Sequence, residues 1–200
     1  PGMDELFKSL ERSGPVVGEV ERVATLQHGF LRLLHDVQIA GEYAYVRDAG
    51  GMIYRVPRAG GELEVVHDSG NGSADHAGAP ASIGNEIYFP VDHDETKGEL
   101  KKVSDNGVVT VAAANDILEL AGNEDYLFAS YFQKNDIHLL GPKGLKRFVK
   151  TRRPGSLLIA DEHLYWANYG SGRVYRAPLG KKGKAEQVAK GRRVIGLAVV

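Results

Sequence analysis

EHLYWANYGSGRVYRAPL, from Glu162 to Leu179, decides the reading of this chain, because a near copy, EYAYVRDAGGMIYRVPR, runs from Glu42 to Arg58. Two looser copies follow the same template: NEIYFPVDHDETKGELKKV from Asn85 to Val103, and EDYLFASYFQKNDIHLL from Glu124 to Leu140. Self-similarity at a period of roughly 40 residues is the mark of a repeat architecture, and that length suits one four-stranded propeller blade. Each copy runs through an apolar stretch, a turn with Gly, Asn or Asp, an aromatic stretch, a polar hairpin and then alternating residues. That order is the grammar of an antiparallel meander.

Working outward, four strands are expected per repeat. Strand A falls at Val37 to Ala40, Ala81 to Gly84, Leu118 to Gly122 and Leu157 to Ala160, all short and apolar. Strand B carries Tyr45, Tyr88, Phe89, Phe128, Tyr165 and Trp166, side chains large enough to fill the wedge between neighbouring blades. Strand C includes Ile53 to Val56, Leu100 to Val103, Ile137 to Leu140 and Val174 to Ala177. Strand D follows a turn glycine, in segments opening at Gly61, Gly107, Gly144 and Gly183.

The fold expected is all-β: a single β-propeller domain over 1–200 with about five four-stranded blades. Successive repeats occupy 37–80, 81–117, 118–156 and 157–195. Residues 1–36 supply strands of a closing blade, and 196–200 supply its inner strand, because GEVERVA from Gly18 matches GKAEQVA from Gly183 and GLAVV from Gly196 matches SLLIA from Ser156. Strand B of that shared blade would be missing. Leu6 and Leu10, four apart behind Asp4 and Glu5, also fit an amphipathic helix that caps or docks on the ring.

The 200 residues include 25 glycines, a level without collagen spacing that signals many tight turns. Charged residues make up 26% and hydrophobic residues 42%, ordinary for a globular protein, and the formal net charge is −1. No global field favours nucleic acid or an anionic membrane, so neither is an expected partner. With no cysteine there is no disulfide framework, thiolate nucleophile or thiolate metal ligand. No stretch nears the roughly 20 apolar residues of a membrane helix, and the N-terminus lacks the apolar core of a signal peptide, so a soluble protein is expected. Pro1 and Gly2 ahead of Met3 read as residues left from an expression tag, and the compartment stays open.

YWANYGSGRVYRA resembles the YWTD repeat of the low-density-lipoprotein-receptor propellers, with Ala167 and Asn168 in place of Thr and Asp. The other copies carry Asp48, Val91 and Ser130 at the position of Asn168. Similar glycine-rich repeats occur in bacterial propellers of unassigned function. The resemblance implies a binding platform rather than an enzyme, usually of six blades, by fold analogy alone.

Candidate chemistry lies where B-to-C hairpins and D-to-A links emerge together at the channel mouth. One group is basic. TRRPG from Thr151 and GRRVIG from Gly191 are equivalent links, so Arg152, Arg153, Arg192 and Arg193 would line one arc, beside Tyr131, Asn168 and Tyr169 from the hairpins. Such guanidinium groups can hold a carboxylate or phosphate bidentately. The other group is His and carboxylate: His67, Asp68 and His76 in a long link, and Asp92, His93 and Asp94 in the next hairpin. These could bind a divalent metal, the only cofactor considered, although neither loop has established ligand spacing and turn capping explains them as well.

No P-loop, Rossmann glycine pattern, G-x-S-x-G elbow or H-E-x-x-H is present, and no catalytic residue is assigned. The leading expectation is a non-enzymatic propeller that binds a protein or peptide through its loop-bearing face. An incomplete ring would also expose a strand edge for self-association by strand sharing. The alternative is a metal-dependent hydrolase or lactonase resembling the gluconolactonase propellers, with Asp48, Asp92 and Asn168 at the positions of the metal-binding side chains.

Overall fold

The structure, a computed structural model, describes residues 34–68, 76–93, 97–180, 184–191 and 197. The closing blade expected from the two ends of the chain lies outside them apart from 34–36 and 197. The described residues form 17 strands and no helix.

Each repeat folds as its own antiparallel sheet in meander order. The first contains β1 (Leu34–Ala40), β2 (Tyr43–Asp48), β3 (Ile53–Pro57) and β4 (Glu64–His67). In the second the inner strand is split into β5 (His76–Ala77) and β6 (Ala81–Ile83), which both pair with β7 (Glu86–Asp92), and β8 (Gly98–Ser104) and β9 (Gly107–Ala113) follow. The third has β10 (Ile117–Gly122), β11 (Leu127–Tyr131), β12 (Asp136–Gly141) and β13 (Gly144–Lys150). The fourth has β14 (Pro154–Ala160), β15 (His163–Asn168), β16 (Arg173–Pro178) and β17 (Glu186–Lys190). The chain is therefore an all-β propeller with four blades among the described residues; the strands A to D read from the repeat overlap these strands, while β5 and the first residues of β1 and β14 lie ahead of the expected inner strands.

Among the described residues the core sits in three seams between blades. Ala40, Tyr45 and Ile53 of the first blade meet Ala77, Ile87, Phe89 and Val91 of the second. Tyr88 and Leu100 point the other way, onto Ile117, Leu120, Leu127, Ala129 and Tyr131 of the third. Phe128 and Ile137 in turn meet Leu157, Leu164, Trp166 and Ala177 of the fourth. Side chains on a strand alternate faces, so the second strands of the two middle blades, β7 and β11, each serve two seams at once. All five residues of β11 are accordingly buried, and Phe89, Phe128 and Trp166 are wholly inaccessible. Burying such a ring contributes about 1.5–3 kcal/mol, so these seams supply most of the cohesion.

Neighbouring inner strands approach closely where β10 passes β6. A Cβ at Gly122 would overlap the Ser82 carbonyl oxygen, a backbone atom that cannot rotate away. Replacing Gly122 by Ala is expected to destabilise the protein by about 1–3 kcal/mol, the usual cost of overpacking. Urea denaturation followed by Trp166 fluorescence checks this, and an unchanged midpoint would show that the two strands separate freely.

Candidate functional site

In a meander, alternate connections emerge at opposite ends of the blade. The hairpins after β2, β7, β11 and β15 therefore share one end with the links that lead into β10 and β14. The inner strands lose regularity at that end. Pairing register slips between Leu34 and Val37, between Ile117 and Glu119, and between Gly155 and Leu157, while Gly78 to Pro80 interrupt the second blade's inner strand. A bulge bends a strand and leaves one residue out of the ladder. Here the displaced residues line a central cavity of about 790 Å³, with Asp36 and Val37, Gly78, Leu118 and Glu119, and Gly155 and Ser156 contributed by the four blades.

Glu119 is the most enclosed acid in that cavity. Its Oε1 accepts the Leu157 N–H at 3.1 Å, and the bulge at Ser156 turns a second amide toward it. Burial nevertheless pushes its carboxyl above the ordinary carboxylate range, helped by the nearby Asp36. Asp36 itself pairs with Arg47 at 2.8 Å, and Arg47 also borders the cavity.

A second cavity, of about 410 Å³, opens beside the first and shares Tyr169 with it. Arg152, Arg153, Arg173 and Lys190 line it, together with Asn168, Gly170, Ser171 and Tyr175, and among the described residues no acidic side chain does. All four cationic residues are exposed, and none forms an ion pair among the described residues.

The link that carries two of these arginines is held rigidly. Trp166 Nε1 donates to Thr151 Oγ1 at 3.0 Å, and that hydroxyl donates onward to Asn168 Oδ1 at 2.9 Å. The Thr151 N–H donates to the Asn135 carbonyl. Arg153 adopts a left-handed φ of 47°, a conformation that costs a residue with a Cβ about 1–2 kcal/mol. Hydrogen bonds on both sides hold it there: Arg153 N–H to Asn135 Oδ1 at 3.0 Å, and Tyr169 N–H to the Arg153 carbonyl at 2.9 Å. Its guanidinium lies 5.1 Å from the centre of the Phe132 ring, which meets Tyr169 edge-on at 5.5 Å.

Of the basic group expected from sequence, the structure brings together Arg152, Arg153, Asn168 and Tyr169. Arg192 and Arg193 lie outside the described residues. Tyr131 borders neither cavity: it is buried in the seam between the second and third blades, against His138 and under the Lys134 ammonium, with its hydroxyl pushed up to about 12 by desolvation. Arg173 and Lys190 join this cavity from strand ends, where the sequence reads only as ordinary solvated charge.

The His and carboxylate group spreads out. His67 closes β4 with its ring 5.4 Å from that of Phe89, and Asp68 is exposed just beyond. His76 pairs in backbone register with Asp92. Asp92 Oδ1 accepts the Asp116 N–H at 3.2 Å, and desolvation raises its carboxyl. His93 Nε2 turns to Glu99 at 3.2 Å, while Asp94 lies outside the described residues. Among the described residues no three His, Asp or Glu side chains are grouped to hold a metal ion.

No protein-family model matches the chain, and no curated protein does. Solved structures do. YCF48 from Cyanidioschyzon merolae superposes with a TM-score of 0.60 at 9% identity, over 84% of this chain and 61% of that one. A luciferin-regenerating enzyme gives 0.63 at 11% identity, over 84% and 66%. A chain of a nidogen/laminin complex gives 0.55 at 13%, over 78% and 63%. The chain thus spans about three fifths of the length of YCF48 and of the nidogen/laminin chain. At these identities the likeness shows the fold, a β-propeller, and nothing finer.

Thr151→Val strands the Trp166 N–H and the Asn168 oxygen and is expected to cost about 1–3 kcal/mol. Thr151→Ser, which keeps the hydroxyl, recovers most of that in the same denaturation measurement. For Glu119 the folded carboxyl titrates above its ordinary value of 4.5, so the folded state binds the proton more tightly and stability falls as pH rises through that window. Glu119→Gln, which keeps an acceptor for the Leu157 N–H, should raise the melting temperature at neutral pH. The gain should close as pH drops to about 4, and a gain that stays constant with pH would contradict the assignment.

Proposed function

We propose that this propeller is a non-enzymatic binding module of YWTD-like repeats that engages a protein or peptide through its loop-bearing face. One observation carries the reading: a cavity at the loop-bearing end of the fourth blade is walled by four exposed cationic side chains, with no ion pair among the described residues, beside the half-exposed ring of Tyr169. A rigid link under an aromatic platform suits recognition, because little order has to be imposed when the ligand arrives. Aromatic and arginine side chains are also the residues that dominate the energetics of protein interfaces.

The hydrolase alternative draws on the groups that end each second strand, and two of these are already engaged. Asp48 is wholly buried. Its Oδ1 accepts the N–H groups of Gly50 and Met52 at 2.8 and 2.9 Å, and its Oδ2 accepts the Tyr54 hydroxyl at 3.2 Å. Asn168 Oδ1 serves Thr151. These contacts fix the hairpins, which favours binding over metal-assisted hydrolysis as the use of this face.

Selection from a random peptide display library on the immobilised protein tests the reading, with a Tyr169→Ala plus Phe132→Ala variant as the counter-screen. Recovered peptides are expected to bind the parent at least about tenfold more tightly than the variant. Peptides that bind both equally would place recognition elsewhere and sink the proposal.

A further inference from the structure

The cations of the second cavity come from a link and two strands rather than from one loop. In the fourth blade, backbone register sets Pro154 opposite Asn168, Asn168 opposite Arg173, and Arg173 opposite Lys190. These positions form a row across the end of the blade, from the inner strand to the outer one. Neighbouring strands lie about 4.8 Å apart, so the row extends about 14 Å from Arg152 and Arg153 at one end to Lys190 at the other. A single phosphate, only about 3 Å across, is much shorter than the row. An extended peptide rises about 3.3 Å per residue, so about four residues cover the row, and alternate side chains point to the same side.

The row is specific to this blade. The same register in the third blade sets Asp136 opposite Lys150, so opposite charges face each other there. In the second blade Gly98 stands opposite Asp92, and Glu99 opposite Ala113. The first blade pairs Ile53 with His67. Only the fourth, among those described, places two cationic residues opposite one another. Like charges in register repel, and the arrangement is relieved when an anion lies between them.

We propose that the fourth blade binds an acidic peptide segment in extended conformation, with alternating carboxylates held by Arg152, Arg153, Arg173 and Lys190 and the chain passing over Tyr169. The inference rests on the reading of this face as a peptide-binding surface and names the chemistry of its ligand. Arg153 is positioned beforehand by Asn135 and Phe132, so it offers its planar fork to a carboxylate with little loss of rotamer freedom. A net charge of −1 for the whole chain makes the attraction local to this row rather than general for polyanions.

The test is fluorescence anisotropy on the full chain with a labelled peptide of alternating Glu and Gly, its Gln-Gly counterpart, inorganic phosphate and a single-stranded oligonucleotide as competitors. The Glu-Gly peptide is expected to bind, the Gln-Gly peptide to bind at least about tenfold more weakly, and added salt to weaken the complex. Arg173→Gln with Lys190→Gln, and Arg152→Gln with Arg153→Gln, should each cost about tenfold, and all four positions are exposed, so the fold tolerates the changes. The proposal is overturned by equal binding to either double variant, by phosphate competing as well as the peptide, or by tighter binding of the oligonucleotide. Failure of the Glu-Gly peptide while Tyr169-dependent display peptides still bind would remove the acidic ligand alone. Failure of both would remove the peptide-binding face with it.

Discussion

The second strands of the two middle blades, β7 and β11, are buried on both faces, and the rest of the molecule depends on that. Ile87, Phe89 and Val91 belong to one seam while Tyr88 between them belongs to the next, and Leu127, Ala129 and Tyr131 are divided from Phe128 in the same way. A blade alone would leave both of these rows in water, at a cost of about 25 cal/mol for each Å² of apolar surface. The blades therefore stabilise one another as neighbours, and stability is a sum of seams rather than of sheets. The aromatic residues are large because the wedge between twisted sheets widens away from the axis, and Phe89, Phe128 and Trp166 fill it.

Pulling the sheets together by their second strands crowds the first strands around the axis. The chain answers in two ways: a glycine where β10 meets the Ser82 carbonyl, and a break in the ladder near one end of every inner strand. The breaks free backbone amides such as those of Ser156 and Leu157, which Glu119 of the preceding blade accepts. Packing thus produces polar features at the channel mouth, since an unpaired buried amide must find an acceptor. The short links repeat a second device. Asp116 and Arg153, each at a left-handed φ, are both fixed through their N–H groups by a side-chain oxygen, from Asp92 and Asn135 respectively. The loops of this face are anchored by the seams beneath them.

Much of this was legible in the sequence. Strands A to D could be placed because each repeat sets the same turns at the same offsets, and hairpin chemistry is written in Gly, Asn and Asp. Arg152, Arg153, Asn168 and Tyr169 could be grouped because equivalent positions of a repeat share one face. A bulge has no compositional signature, so the interruptions at Leu118 and Ser156, and the enclosed acid Glu119 beside them, stayed hidden. Tyr131 was grouped with the arginines because hairpin position does not reveal which seam a ring enters. Arg173 and Lys190 were missed for a related reason. Each looks like an ordinary solvated charge at a strand end, and only the pairing register makes them neighbours.

That register bears on why the fourth blade differs from its relatives. A repeat protein can neutralise any position at little cost, because one change in one blade leaves the others intact. The third blade has the neutral arrangement, with Asp136 facing Lys150, so the scaffold accepts a carboxylate at this site. The fourth has Arg173 there, with Lys190 opposite and two further arginines in the adjoining link. Folding gains nothing from the substitution. The residues are exposed, their mutual repulsion opposes the pairing of β16 with β17, and the seam that holds the blade lies on Trp166 and Leu164 below. Where stability does not require a feature and mildly opposes it, a bound anion is the physical condition under which it becomes favourable.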